Sequence, residues 1–420
     1  MDSFEKQKQN AIKLFQREGP FSPSFSHIYA YGDVDLEFVF TIKKQMEDIL
    51  QKTVMSPNVG NAIRFKTSPK PILLHIHSPG GLLTITYSLI QYIQRYPIPV
   101  LSFVEGIAAS AAAILVRACH YSIMAPWSYL LIHQLSLGFY GKKQELNFQK
   151  EQTDTDMKYI MELIRPPTKK MEEVWEQLLQ RDLFLSARKS KEYQLCDEIM
   201  ETGHWIHNRQ KFLDLSQNDI PFMISNYNQF DKIPFHLDEK LMMNPLFKEK
   251  IIYLDALPFS QFVEKMHQSL INYTYSPMLL LFHASEDAKI SMVQPFINII
   301  LGSKKPIVAL NTSIVSDFYL LSYIVCPYRI MYPRSYFILD FSQPLMGSER
   351  VEDMKENMKT TQQWVMNLLK TYTKLPKSIL DKIFEKKFLL KPKDCLKYGI
   401  CDQLYDHLPT SNKDKSSKKK

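Results

Sequence analysis

Short apolar runs alternate along this chain with longer segments of helical periodicity. The runs at 73–77 (LLHIH), 99–104 (PVLSFV), 129–133 (YLLIH) and 336–340 (YFILD) are five or six residues long and carry no strict polar alternation. Such runs predict strands covered on both faces, with the periodic segments between them as helices that cross from strand to strand. The expected fold is therefore α/β, a stack of ββα units whose larger sheet pairs in parallel. The most apolar stretch, Val104 to Val116, is interrupted by Glu105 and reads as a buried helix, too short to span a bilayer. No membrane association is expected.

The pattern occurs twice. CHYSIMAPWSY at Cys119 to Tyr129 is echoed by CPYRIMYPRSY at Cys326 to Tyr336, with seven of eleven positions identical. LLHIHSPGG (Leu73 to Gly81) answers LLFHASED (Leu280 to Asp287), PVLSFVEG answers PIVALNTS, and YQLCDEI (Tyr193 to Ile199) answers YGICDQL (Tyr398 to Leu404). Between the copies, Gly203 to Asn244 is polar and asparagine-rich and contains Pro221 and Pro234, which marks a connector. The expected organisation is an N-terminal extension over 1–20, a first domain over 21–203, a linker over 204–245, a second domain over 246–407 and a basic tail over 408–420.

Composition narrows the setting. With 420 residues, 45% hydrophobic and 23% charged, the chain has ample apolar material for two cores. Part of the net charge of +8 sits in SNKDKSSKKK at Ser411 to Lys420, a solvated end rather than a nucleic-acid interface. The N-terminus lacks the basic start and apolar stretch of a secretory signal. The five dispersed cysteines (Cys119, Cys196, Cys326, Cys395, Cys401) have no CxxC spacing and read as reduced, buried thiols. A cytoplasmic location is expected.

Amide hydrolysis needs a nucleophile, a base, a group that orients the base, and donors for the oxyanion. Ser110 heads a helix of small residues after the strand at 99–104, where the helix N-terminus favours developing negative charge and the Ala111 amide can donate to it. His133 closes its apolar strand as a candidate base. Asp182, in QRDLFLSA, is the candidate orienting carboxylate. Ser78-Pro79-Gly80-Gly81 allows a sharp turn and close approach of backbone amides to a substrate.

The runs SPGG, AAS, IHQ, RDxFLSA and YxLxD resemble, in order and spacing, those of ClpP, the serine peptidase subunit of ATP-dependent Clp machines; the resemblance spans roughly Ile28 to Ile199. It implies a ClpP/crotonase-like fold, with Ser110 as nucleophile, His133 as general base and acid and Asp182 as orienting group. It also implies the Gly81 and Ala111 amides as oxyanion hole, and an extended peptide beside Gly80, Gly81, Leu82 and Leu83 treated as a strand. A handle of strand and helix after the histidine, over Gly138 to Ile164, and assembly into rings fed by an AAA+ unfoldase belong to the same implication. The chain departs from the family in Ala111-Ala112 after the serine, where Met-Gly is usual, in Leu135 where a proline follows HQ, and in a longer segment around Lys52 to Lys70.

Anchored on Pro126 and Pro333, Ser110 falls on Asp317, His133 on Asp340, Gly80-Gly81 on Glu286-Asp287, and Asp182 on Lys386 or Lys387. The second copy is therefore expected to be noncatalytic. His75 and His77 share a strand face, but without a third ligand in view they read as structural, and no metal is expected. No cofactor motif is present, so any use of ATP would belong to a partner unfoldase. The expected function is a serine endopeptidase acting on unfolded polypeptides, with a noncatalytic subunit of a Clp-type assembly as the alternative. Acyl-CoA chemistry on the crotonase fold, or a Ser/Lys peptidase, would leave His133 and Asp182 unexplained.

Overall fold

The computed structural model describes residues 2–53, 69–133, 153–162, 169–201, 251–253, 259–272, 278–282, 290–304, 307–341 and 351–404. The first half begins with helix α1 (Asp2–Glu18), strand β1 (Ser26–Tyr31), α2 (Leu36–Thr53), β2 (Ile72–Ser78), α3 (Leu83–Gln94) and β3 (Val100–Ala109). It continues with α4 (Ala111–Ala118), β4 (Tyr121–Met124), β5 (Tyr129–Leu131), helix α5 over 153–162, α6 (Lys169–Leu179), β6 (Leu185–Ser186), α7 (Ala187–Glu192) and β7 (Glu198–Ile199).

The main ladder runs β1-β2-β3-β4-β7, all parallel, while β5 pairs in parallel with the far end of β3 and antiparallel with β6. Every residue of β3 is buried, because the sheet is covered on both sides. One face, with Ile28, Ile72, Leu74, Ile76 and Val104, packs against α2, α3 and α4. Helix α2 presents Phe38, Val39, Ile42 and Met46 to it, one stripe of an amphipathic helix. The other face, with Leu73, Leu101, Phe103 and Ile123, packs against Ala11 and Phe15 of α1, so the residues read as an extension cover the sheet.

The stretch Val104 to Val116 is not one helix. It is strand as far as Ala109, turns at Ser110 and is helical from Ala111, because parallel pairing with β2, β4 and β5 outweighs the helix propensity of its alanines.

The second half contains β8 (Ile251–Tyr253), α8 (Phe259–Asn272), β9 (Met278–Phe282), α9 (Ile290–Gly302), β10 (Ile307–Asn311), β11 (Ile314–Ser316) and α10 (Asp317–Ile324). There follow β12 (Tyr328–Met331), β13 (Tyr336–Leu339), α11 (Val351–Tyr372), α12 (Lys377–Leu380), β14 (Phe388–Leu390), α13 (Pro392–Lys397) and β15 (Gln403–Leu404). Its strands run β8-β9-β10-β12-β15 in parallel, with β11-β13 parallel and β13-β14 antiparallel. That is the order and sense of β1-β2-β3-β4-β7, β3-β5 and β5-β6.

Local contacts recur as well. Asp197 accepts from the Ser122 amide at 2.7 Å, as Asp402 accepts from the Arg329 amide at 3.0 Å. Ser128 and Ser335 each donate from their hydroxyls, at 2.8 Å, to the carbonyl three residues before.

The halves meet along β3. The Asn298 side chain of α9 donates to the Glu105 carbonyl at 2.6 Å and accepts from the Trp127 amide at 3.1 Å. The expected linker and basic tail, the first part of the expected handle and most of the segment from Lys52 to Lys70 lie outside the described residues. All five cysteines are buried and unpaired. Among the described residues no helix is long and apolar enough to cross a membrane.

Candidate active site

Ser110 stands at the turn from β3 into α4 with φ 55° and ψ −125°, a conformation that costs a non-glycine residue energy and is held only by its surroundings. Its amide donates to the Leu131 carbonyl at 2.8 Å, which ties the turn to the end of β5. The side chain is half-buried, and seven of the eight residues of α4 behind it are buried.

The SPGG turn lies directly against this corner. Gly80 has φ +98°, and a Cβ there would come 2.5 Å from the Ala109 carbonyl oxygen, 2.7 Å from Ser110 Cβ and 3.2 Å from the Ala111 nitrogen. Gly81, at φ +153°, forms a parallel bridge to Val34, whose carbonyl oxygen a Cβ would meet at 2.4 Å. Bonds from the Val34 amide to the Gly80 carbonyl and from the Leu82 amide to the Val34 carbonyl, both 2.8 Å, hold the turn. The two residues expected to supply oxyanion donors, Gly81 and Ala111, thus belong to two turns in van der Waals contact.

Leu82 and Leu83 do not continue a strand. Leu82 caps α3 at φ −71°, ψ 115° and is largely exposed, and Leu83 is the first residue of that helix. The strand expected there is limited to the single bridge at Gly81, because Val34 is followed by a turn into α2 and offers no further ladder.

His133 and Asp182 come together through strand pairing. The antiparallel ladder of β5 and β6 sets Leu130 against Leu185, and the same register three residues further sets His133 against Asp182. Their side chains are 3.9 Å apart, Nδ1 to Oδ1, within Coulombic reach and beyond hydrogen-bond distance. Both remain partly exposed, so the pair lies at the rim of the fold.

A contact absent from the sequence reading fixes Asp182. Asp353 and Asn357 lie one turn apart on α11, both buried. Asp353 accepts from Arg181 Nε and Nη2 at 3.0 and 2.7 Å and from the Asp182 amide at 3.1 Å. Asn357 donates to the Asp182 carbonyl at 2.8 Å and accepts from the Phe184 amide at 3.1 Å. The backbone on both sides of Asp182 is therefore clamped by the second half. The polar i, i+4 pair inside an amphipathic helix is the only signal of this in the sequence, and it names no partner.

A cleft of about 680 Å³ lies behind this segment, between α6, α7 and α11, lined by Trp127, Arg181, Phe184 and Trp364 among others. Ser110, His133 and Gly81 do not line it, so it is distinct from the serine corner.

The register also fixes what the second half carries at the corresponding places. Tyr129 pairs with Ile107 as Tyr336 pairs with Ile314, which sets Asp317 in the place of Ser110. Leu130 pairs with Leu185 as Phe337 pairs with Leu390, which sets Asp340 opposite Lys387 where His133 faces Asp182. Asp340 and Lys387 form an ion pair at 2.5 Å. The stretch Glu286-Asp287 lies outside the described residues.

Burial pushes the thiols of Cys119 and Cys196 up to about 12, so neither is poised as a competing nucleophile. The serine corner, the glycine turn against it and the histidine facing an aspartate are the residue types that serine-based hydrolysis uses. Residues 31–203 match the family model described as Clp protease, and this part of the chain is similar to that family.

Proposed function

We propose that this chain is a serine endopeptidase of the Clp type, in which Ser110 attacks the peptide carbonyl and His133 relays the proton. Asp182 orients the imidazole, and the Gly81 and Ala111 amides receive the oxyanion. The observation that carries this reading is the strained Ser110 corner packed on Gly80, in a fold whose register sets His133 against Asp182. Strain of this kind is retained where it presents a side chain for reaction. The second half is read as a tandem copy that has lost this chemistry and acts as scaffold. Its repeated strand order supports the duplication, and the Asp340–Lys387 pair supports the loss.

By likeness to the Clp protease family, the substrates are unfolded polypeptides and the working form is a ring, supplied by an ATP-dependent unfoldase that would hold the nucleotide. The test is labelling with a fluorophosphonate alongside hydrolysis of an unfolded protein. The proposal requires covalent labelling that disappears in Ser110→Ala together with the hydrolysis. A folded assembly that resists labelling, or hydrolysis that survives in Ser110→Ala, excludes it.

The 3.9 Å gap between His133 and Asp182 favours a second reading, a noncatalytic structural or regulatory subunit of a Clp-type assembly. Catalytic hydrogen bonds often tighten only on substrate binding, so this gap alone does not displace the first reading.

A further inference from the structure

Three side chains from the two halves meet at one fully buried point: His75 on β2, Glu105 on β3 and His267 on α8. None has any exposed side-chain surface, and one donor atom from each lies within 4.8 Å of the others. His75 Nδ1 and His267 Nε2 each stand 2.9 Å from the same oxygen, Glu105 Oε1.

The hydrogen bonds around the cluster leave too few protons for it. His27 Nε2 lies 2.9 Å from the Ser22 carbonyl, which only accepts, so that nitrogen carries the proton and donates. The bare Nδ1 of a neutral His27 then faces His75 Nε2 at 2.9 Å, and His75 donates from there. A neutral His75 is left with a lone pair on Nδ1, directed at a carboxylate oxygen 2.9 Å away. The other oxygen of Glu105 already accepts from the Tyr31 hydroxyl. His267 adds two buried nitrogens with no hydrogen-bond partner among the described residues, since its approach to Glu105 is not aligned as a hydrogen bond. Lone pairs gathered around a desolvated carboxylate call for a cation.

We propose that His75, Glu105 and His267 bind a divalent transition-metal ion, with zinc the best match, and that the ion pins the second half to the first. Two imidazoles and a carboxylate form a zinc donor set. Bonds of about 2.0–2.2 Å at tetrahedral angles put donor atoms roughly 3.4 Å apart, so each histidine must draw back from Glu105 by about half an ångström. His75 also has the outer support expected of a metal ligand: its second nitrogen is held by His27, and His27 by a backbone carbonyl. The site is closed to solvent and lies five residues before Ser110 on β3, roughly 16 Å away along the strand, which fits a structural ion and not a reacting one. The sequence shows His75 and His77 but not the third ligand, which arrives from α8 in the other half.

The test uses the untagged full chain, loaded with zinc, passed over chelating resin and measured for metal by mass spectrometry. The expected result is close to one zinc per chain in wild type and none in His267→Gln, with both folded by circular dichroism. Cobalt added to the stripped wild type should give visible ligand-field bands, and zinc should raise its melting temperature without raising that of His267→Gln. Wild type that retains no zinc and shows no cobalt bands overturns the proposal and leaves the cluster as a proton-sharing network. Equal zinc in His267→Gln also overturns it. Neither readout depends on peptidase activity, so failure here is distinct from failure of the serine chemistry.

Discussion

The two halves share a strand order and differ at the point where chemistry would occur. In the first half β3 runs on to Ala109, turns through a strained Ser110 and sets His133 against Asp182. In the second half the corresponding strand is split into β10 and β11, Ser316 before its helix is relaxed at φ −119°, ψ 163°, and Asp340 pairs with Lys387. An acid–base pair in the opposite order stands across the same two strands, yet it contains no imidazole to act as a base. The scaffold therefore tolerates either solution, and side-chain identity separates a candidate site from a structural ion pair.

The sharpest way to break this comparison is Asp182→Asn. If Asp182 orients the imidazole, the substitution lowers kcat by about 10³–10⁴-fold with the fold intact, measured on a fluorogenic peptide. A rate within twofold of wild type would make the first-half pair as structural as its counterpart.

Asp353→Asn should come next, because Asp353 reaches Asp182 through its backbone amide and through Arg181. A kcat about tenfold lower at unchanged KM, or about 1.4 kcal/mol of lost positioning, is expected, with the pH–rate profile altered. Unchanged kinetics in a destabilised protein would reduce the clamp to an interface contact.

Lys387→Met probes the other half. Removing the cation takes an exposed lysine from the nearly buried Asp340 and should cost about 1 kcal/mol in urea unfolding, while the rate per folded molecule stays the same. A fall in rate would contradict a silent second half.

The smallest effect concerns His120, whose counterpart is Pro327. Burial, with the charge of Lys8 adding to it, pushes the His120 imidazole down to about 4 from an unfolded value near 6.5. A depressed histidine contributes stability that is present above the unfolded value and is lost as pH falls towards the folded one. Urea unfolding of His120→Gln should therefore show a shallower loss of stability between pH 6.5 and 4 than wild type, by about 1 kcal/mol. An identical slope would locate the acid sensitivity elsewhere.

The serine corner was legible because its parts are local. Small residues around Ser110, paired glycines at 80–81 and an apolar run ending in His133 each declare a turn, a close approach or a strand end through their own chemistry. The limits of β3 were not legible, since its alanines suit a helix until two neighbouring strands, β2 and β5, claim them. Nor was the choice between Lys386 and Lys387 opposite Asp340, which a one-residue slip would reverse and the β13–β14 register decides.

By itself, then, the sequence determined the α/β alternation, the repeated pattern and the candidate residues of one site, because these are written in short-range periodicity and residue type. Tertiary structure alone decided the partners that come from far along the chain. Asp353 and Asn357 reach Asp182 across more than 170 residues, and His267 reaches Glu105 across the seam between the halves. Nothing in a linear pattern encodes such meetings, since a buried polar side chain is matched by whichever group the packing of two separate cores brings to it.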